Sequence, residues 1–165
     1  ANLIAADGSS PLQTCQGAVA ALARLPGWRL AMCSRWYRTV PDPPLPGAPP
    51  FVNGVALLER QEREGGGADP ARLLAALHAL EDAAGRARPF PNAPRTLDLD
   101  LIAMDDLRRD APPPILPHPR AHQRRFVLQP LTDVSPGWRH PALGRTAEDL
   151  MADLPETDLP EPIPE

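Results

Sequence analysis

Lysine is absent from this sequence of 165 residues, and all 17 of its basic residues are arginines. This absence excludes the chemistries that depend on a lysine side chain, including a Walker A nucleotide site, a Schiff base and a kinase-type strand lysine. Any phosphate group that the protein handles must therefore be bound by planar guanidinium groups.

Cysteine is also scarce, since the chain contains only Cys15 and Cys33, and neither belongs to a C-x-x-C or metal-binding pattern. Two such residues are typical of reduced core thiols in a cytoplasmic protein. The sequence also has no apolar run of transmembrane length and no signal-peptide pattern. We therefore expect a cytoplasmic protein that makes no membrane contact.

Acidic residues give the chain a net charge of −4, but they are unevenly distributed. Seven of the 21 acidic residues lie at or after Glu148, where no base occurs, so residues 1–147 hold 17 arginines and 14 acids. A mild basic excess suits a small anionic ligand better than nucleic acid, for which a strong basic stripe is expected. The charge distribution predicts small-molecule substrates and no nucleic-acid partner.

Proline is abundant, with 24 residues, about three times the usual share. The prolines cluster in segments that separate the hydrophobic stretches, and such clusters mark loops. The length predicts one domain at 1–154, followed by an acidic, proline-rich tail at 155–165 that we expect to be disordered.

Hydrophobic spacing and turn residues predict alternating helices and strands, which indicates an α/β or α+β sandwich with helices covering the middle strands. The predicted helices are 11–25, 70–84 and a short segment around residue 150. The predicted strands are 28–39, 51–62, 94–102 and 126–128.

The most informative stretch reads PRTLDLDLI at residues 94–102. In an extended strand, Asp98 and Asp100 share one face while the leucines share the other. The Cα atoms of the two aspartates would lie about 6–7 Å apart, which lets both carboxylates hold divalent metal. Any half-buried strand shows the same alternation, so this pattern alone favours a metal site no more than a solvated strand face.

The same run matches the Pro-Arg-x-x-Asp-hydrophobic-Asp-hydrophobic-hydrophobic signature of the 6-hydroxymethyl-7,8-dihydropterin pyrophosphokinases. The sequence resembles that family from residue 1 to about residue 150. The resemblance also includes SRWYRT at 34–39, FVN at 51–53, the arginine pair after the second helix and the segment 118–126. It implies an α+β, ferredoxin-like fold, with a mainly antiparallel central sheet flanked by helices in three α-β-α layers.

The first residues, ANL at 1–3, resemble the end of the family's Gly-x-Asn motif, which a short apolar strand precedes. We therefore expect that strand to belong before Ala1, where the given sequence lacks it. Two departures from the family pattern are Pro119, where some members have tyrosine, and Asn92-Ala93, where an aromatic-glycine pair is common.

The resemblance implies an enzyme of folate biosynthesis that transfers diphosphate from ATP to 6-hydroxymethyl-7,8-dihydropterin and releases AMP. Asp98 and Asp100 would hold two Mg²⁺ ions that bridge the ATP phosphates. Arg86 and Arg88 would lie on a loop that closes over the triphosphate, and Arg95 would contact phosphate. These five residues form the catalytic group that the resemblance implies.

By the same resemblance, Glu81, His118 and Arg124 complete the nucleotide site. The pterin would lie between two aromatic rings, with an asparagine and nearby backbone groups at its polar edge. The residues implied for the pterin are Thr39, Val40, Leu45, Phe51, Asn53 and Phe126. The expected assembly is a monomer or a weak dimer.

Two other functions remain open at this point. The chain could be a catalytically impaired relative that binds pterin or nucleotide. It could also be another Mg²⁺-dependent enzyme, such as a nuclease or glycosyltransferase, that uses the Asp-x-Asp pair. The last hypothesis leaves Phe51, Asn53 and Phe126 without a role.

Overall fold

A computed structural model describes residues 1–41, 46–61, 69–85, 95–157 and 159–164. The helices are α1 (Pro11–Leu22), α2 (Pro70–Ala83), α3 (Arg125–Val134) and α4 (Ala147–Ala152), with a 3-10 turn at Ala121–Gln123. The strands are β1 (Trp28–Cys33), β2 (Tyr37–Thr39), β3 (Phe51–Asn53), β4 (Ala56–Arg60) and β5 (Glu161–Pro162). The chain has an α+β fold, in which every strand pairing is antiparallel among the described residues.

Strands β1 to β4 belong to one long hairpin that is interrupted in both arms. β1 pairs with β4, and β2 pairs with β3, so the predicted strands 28–39 and 51–62 are each divided in two. At the interruption, the Ser34 hydroxyl accepts a hydrogen bond from the Val55 N–H at 2.9 Å. Gly54 lies so close to Trp36 that a Cβ atom added to it would be 2.8 Å from the indole ring.

Helices α1 and α2 begin where local sequence signals place them. Ser10 and Gln13 form a capping box at the start of α1, and Asp69 caps α2, with proline as the first residue of each helix. α1 ends at Leu22, three residues earlier than predicted, because Pro26-Gly27 is preceded by a turn.

Two hydrophobic clusters lie on opposite sides of β4. Leu58 packs against the first cluster, and Leu57 packs against the second. The buried residues of the first cluster are Leu22, Leu73, Leu77, Met104 and Leu116. Those of the second are Leu128, Leu131, Val134, Ala147 and Leu150. Since neighbouring residues of a strand face opposite ways, helices cover both faces of this strand.

The predicted strand 126–128 is wrong, because these residues form the first part of α3. A short apolar run cannot by itself distinguish a strand from a buried helix. The helical period continues through Leu131 and Val134, both buried, although Pro130 lies inside the helix.

The predicted strand 94–102 is not part of a sheet in the described residues, which begin again at Arg95. Its backbone groups bond elsewhere: the Arg95 carbonyl accepts from the N–H groups of Asn2 and Leu3, and the Ile102 carbonyl accepts from the N–H of His118. The predicted division of faces still holds in part, since Leu99 and Leu101 pack against the first hydrophobic cluster.

The end of the chain also differs from the predicted disordered tail. Glu161 and Pro162 form β5, which pairs with β2, and the Ile163 N–H donates to the Trp36 carbonyl at 2.8 Å. No helix in the described part of the chain has the length and apolar character needed to cross a membrane.

Candidate active site

A cleft of about 1680 Å³ runs beside the long hairpin and brings together eight of the residues predicted for the site. These are Phe51, Asn53, Arg95, Asp98, Asp100, His118, Arg124 and Phe126. Three other predicted residues, Leu45, Arg86 and Arg88, lie outside the described residues. The cleft therefore unites both halves of the predicted site, the acidic and basic groups and the aromatic residues.

Asn53 and Phe51 lie on β3, opposite β2. The Asn53 amide nitrogen donates a hydrogen bond to the Thr39 hydroxyl at 2.6 Å, which fixes the orientation of the amide. Thr39 is buried and Val40 is exposed, and neither is among the residues that line the cleft. Thr39 thus acts on the cleft through Asn53.

Arg124 and Phe126 lie at the beginning of α3. The guanidinium carbon of Arg124 is 5.4 Å from the centre of the Phe126 ring, which is a cation–π distance. Arg124 is also the N-cap residue of α3. The positive end of the helix dipole and the guanidinium group therefore both favour an anion near this end of the helix.

Asp98 and Arg95 form an ion pair, with the Arg95 Nη1 atom 2.7 Å from the Asp98 Oδ2 atom. Both side chains are largely buried, with 14% of Arg95 and 25% of Asp98 exposed. Asp100 is exposed beside them. One aspartate of the pair is therefore neutralised by arginine, while the other faces solvent.

Glu81 has no exposed surface, and its Oε1 atom accepts a hydrogen bond from the Leu99 N–H at 2.8 Å. Leu99 lies between the two aspartates in sequence, so Glu81 holds the backbone that carries them. Sequence reasoning placed Glu81 on the nucleotide side of the site, but it does not line the cleft.

His118 is held against the aspartate segment by the hydrogen bond from its N–H to the Ile102 carbonyl, at 2.7 Å. Burial lowers the pKa of His118; Asp100 opposes this effect, and Arg124 and Arg120 add to it. The imidazole is therefore neutral at pH 7. Its Nδ1 atom accepts from the Arg120 N–H at 3.2 Å, so the proton of the neutral ring is on Nε2, which can donate to a ligand.

Asn2 connects the two halves of the site and was not among the predicted site residues. It is 2% exposed, its Oδ1 atom accepts from the Arg95 N–H at 2.9 Å, and its amide nitrogen donates to the Pro49 carbonyl at 3.1 Å. Pro49 lies two residues before Phe51. The only signal in the sequence was the likeness of residues 1–3 to the family's Gly-x-Asn motif.

The donor set of the site suits a hard cation only if the substrate supplies further ligands. No group of three or more histidine, cysteine, aspartate or glutamate residues that could hold a metal occurs among the described residues. Asp98 and Asp100 supply carboxylate oxygens, which Mg²⁺ prefers, and Mg²⁺ commonly completes its shell with phosphate and water oxygens. These two residues therefore fit a cation that binds together with a polyphosphate.

Comparison with known proteins agrees with the geometry. Residues 3–136 match the family model of 7,8-dihydro-6-hydroxymethylpterin-pyrophosphokinase (HPPK). The chain is 39% identical over 148 residues to the 2-amino-4-hydroxy-6-hydroxymethyldihydropteridine pyrophosphokinase of Pseudomonas aeruginosa, covering 89% of this chain and 86% of that protein. It is 38% identical over 141 residues to the protein of the same name from Synechocystis sp., covering 85% and 68%.

A longer relative, the folic acid synthesis protein fol1 of Schizosaccharomyces pombe, is 30% identical over 144 residues, which is 87% of this chain and 19% of that protein. The family model spans most of the chain, and the matched residues include the Asp98 and Asp100 pair, Phe51, Asn53 and Phe126. The chain belongs to the 7,8-dihydro-6-hydroxymethylpterin-pyrophosphokinase family.

Proposed function

We propose that this protein transfers diphosphate from ATP to 6-hydroxymethyl-7,8-dihydropterin, a step of folate biosynthesis. The observation that carries the proposal is the shared cleft, in which a carboxylate pair and cationic groups adjoin two aromatic rings and an asparagine. Membership of the pyrophosphokinase family supports the same reaction.

The pterin binds between Phe51 and Phe126, whose rings offer apolar faces to its flat heterocycle. Asn53, oriented by Thr39, hydrogen-bonds the polar edge of the ring. Backbone groups near Val40 and Leu45 complete this edge. A flat ligand with several donors and acceptors is recognised by this combination of stacking and fixed polar groups.

ATP binds on the opposite side of the cleft. Arg95, His118 and Arg124 contact its phosphates, together with Arg86 and Arg88, and Glu81 supports the site from beneath the aspartate segment. Asp98 and Asp100 would hold two Mg²⁺ ions, which supply charge neutralisation for the phosphates when bound. Arg95, which pairs with Asp98 at 2.7 Å, would contact a phosphate oxygen when Asp98 serves as a metal ligand.

In the reaction, the hydroxymethyl oxygen of the pterin attacks the β-phosphorus of ATP. A new oxygen–phosphorus bond forms, the bond from the β-phosphorus to the oxygen shared with the α-phosphate breaks, and AMP leaves with that bond's electron pair. The hydroxyl proton is lost to water. The arginines and the Nε2–H of His118 stabilise the charge that develops on the phosphates.

We also propose the finer features of the fold and the assembly. The chain forms one domain of ferredoxin-like, three-layer α-β-α type, which is supported by the clusters on both sides of β4 and by the pairing of β5 with β2. The protein works in the cytoplasm as a monomer or a weak dimer.

The direct test is to incubate the purified protein with ATP, Mg²⁺ and the pterin and to follow AMP and pterin diphosphate by ³¹P NMR. We expect the two products in equal amounts, and we expect Asp98→Asn and Asp100→Asn to abolish them. Asp110→Asn, an exposed site on the same stretch of chain, is the matched control and should keep full activity. ATP binding without AMP formation in the presence of the pterin would refute the proposal.

A further inference from the structure

Asp133 lies near the end of α3 and is bonded to the hairpin by two residues. The Arg35 backbone N–H and Nε–H both donate to its Oδ2 atom at 3.2 Å, and the Arg35 Nη2 donates to Oδ1 at 2.8 Å. The Tyr37 hydroxyl donates to Oδ2 at 2.9 Å. Asp133 therefore accepts four hydrogen bonds and joins α3 to the start of β2.

Two of these three side chains are mostly withdrawn from water, whereas that of Arg35 is 58% exposed. Tyr37 is 1% exposed, and the side chain of Asp133 is 16% exposed. Arg35 also lies over the Tyr37 ring, with its guanidinium carbon 5.5 Å from the ring centre. Charge-assisted hydrogen bonds of this kind are stronger and more directional than those of neutral groups. The three side chains form a rigid connection.

Asp133 contacts the same face of the sheet that carries the residues proposed to bind the pterin. Tyr37 pairs with Asn53, and Thr39 pairs with Phe51, in the register of β2 and β3. Directly opposed residues share one face of a sheet, and so do residues two apart along a strand. Tyr37, Phe51 and Asn53 therefore lie on the same face, and the Tyr37 hydroxyl shows that this face is turned towards α3.

On α3 as well, the residue that makes the connection and the residue proposed to stack on the pterin share one face. Phe126 precedes Asp133 by seven residues, which is close to two full turns, so both lie on the same face of α3. The slot between the Phe51 and Phe126 rings therefore lies between the sheet face and the helix face that Asp133 connects. The position of Asp133 relative to Tyr37 sets how far apart these two faces are.

We propose that Asp133 is a positioning residue for the pterin, because through Arg35 and Tyr37 it sets the spacing between the Phe51 and Phe126 rings. The inference rests on the proposed function, since it takes this slot as the pterin site. Stacking attraction depends steeply on distance, and a gap wider by about 0.5–1 Å loses about a quarter to a half of it. A loosened connection should weaken pterin binding and leave ATP binding unchanged.

The test compares Asp133→Asn and Tyr37→Phe with the wild-type protein, and uses Asp153→Asn as the matched control. Asp153 also accepts a hydrogen bond from arginine, Arg145, but it lies on the surface after α4, away from the slot. Steady-state assays give kcat and the KM of each substrate, and quenching of pterin fluorescence gives its Kd directly. Thermal unfolding followed by circular dichroism establishes that each variant is folded at the assay temperature.

We expect Asp133→Asn to raise the KM and Kd of the pterin about tenfold, the size expected for losing charge-assisted hydrogen bonds, with the KM of ATP unchanged. Tyr37→Phe removes one of the four bonds, keeps the ring, and should raise both constants about threefold. Because Tyr37→Phe is a mild change, its KM and Kd values decide the test if Asp133→Asn does not fold. Asp153→Asn should match the wild type.

An unchanged pterin KM in folded Asp133→Asn or Tyr37→Phe would overturn the inference, and so would an equal rise in the KM of both substrates. A failure of the proposed function appears differently, as a wild-type protein that neither binds the pterin nor forms AMP. The wild-type measurement therefore separates the two conclusions.

Discussion

The buried carboxylate of Glu81 accepts a hydrogen bond from the Leu99 N–H, 18 residues further along the chain, at 2.8 Å. This contact places a helix side chain beneath the backbone that separates Asp98 from Asp100. The segment has no sheet partner among the described residues, and this contact is one of the hydrogen bonds that define its course. The metal-binding geometry that we propose therefore depends on α2.

Replacing Glu81 by leucine should weaken activation of the enzyme by Mg²⁺ more than it weakens binding of the pterin. The leucine removes the acceptor for the Leu99 N–H, and the aspartates lose their fixed spacing. We expect the Mg²⁺ concentration for half-maximal rate to rise by about tenfold or more, as for residues that orient metal ligands. Glu81→Gln keeps an acceptor oxygen and should show a smaller rise.

Asp82→Asn is the control for Glu81, because Asp82 is the next residue of α2 and is exposed. Its rate should depend on the Mg²⁺ concentration as that of the wild type does. An unaltered Mg²⁺ titration in Glu81→Leu would show that Glu81 does not position the aspartates.

Asn2→Ala should reduce both stability and the affinity for both substrates. The change leaves the Arg95 N–H and the Pro49 carbonyl without the partner that joins them, at a site that is 2% exposed. Losing such buried partners costs about 1–3 kcal/mol in the free energy of unfolding. Urea unfolding measures the loss, and steady-state assays should show a higher KM for ATP and for the pterin. A change confined to one substrate would contradict a bridging role.

Gly54→Ala and Gly17→Ala form a matched pair with opposite expected results. A Cβ atom on Gly54 would lie 2.8 Å from the Trp36 ring, whereas one on Gly17 would meet nothing within 4 Å. Gly17 lies inside α1, where alanine should stabilise by about 0.5–1 kcal/mol. At Gly54 the clash should destabilise by about 1–3 kcal/mol and displace the neighbouring Asn53, which raises the pterin KM.

Thermal unfolding and pterin kinetics on both glycine variants measure these effects. A Gly54→Ala protein as stable as the wild type, with an unchanged pterin KM, would show that Trp36 can move aside without consequence.

The stability of the protein should fall as pH is lowered below about 6.5, in part because of His140. Its Nδ1 atom accepts from the N–H groups of Ala142 and Leu143 at 3.2 Å, and it is 4% exposed. Burial lowers the pKa of His140, and the adjacent His122 lowers it further. The unfolded chain thus binds a proton more readily, so this stabilisation is complete above the unfolded pKa and is lost as pH falls through the folded one.

His140→Asn provides the comparison, because the amide oxygen of asparagine can accept these two hydrogen bonds but does not titrate. Urea unfolding between pH 7.5 and 5 should give a shallower decline for the variant than for the wild type. Parallel curves would mean that His140 does not contribute to the pH dependence.

The sequence predicted those features that are set by neighbouring residues. Pro11 and Asp69-Pro70 mark the helix starts correctly, because caps act within one turn. The signature around Asp98 and Asp100, together with the resemblance, predicted eight of the residues that line the cleft. The segment 126–128 was misassigned because its apolar residues suit a strand and a buried helix equally well.

Contacts between distant residues could not be predicted in the same way. Glu81 sits on a helix, and its burial depends on the segment that folds over it, which no local pattern around residue 81 indicates. Asp133 and Tyr37 are 96 residues apart, and no local pattern connects them. Asn2 was part of a recognised motif, but its role depends on two backbone groups whose positions are fixed only in the folded chain.

The short strand β5 covers the edge of β2 that faces away from β3. An unpaired edge can add a strand from another molecule, which is a common route to aggregation. Here Glu161 pairs with Arg38, and Pro162 pairs with Tyr37, so the new edge carries a carboxylate and a residue without an N–H group. Strand addition at this edge is thereby disfavoured, and the protein should remain soluble at concentrations where an open β2 edge would make copies associate.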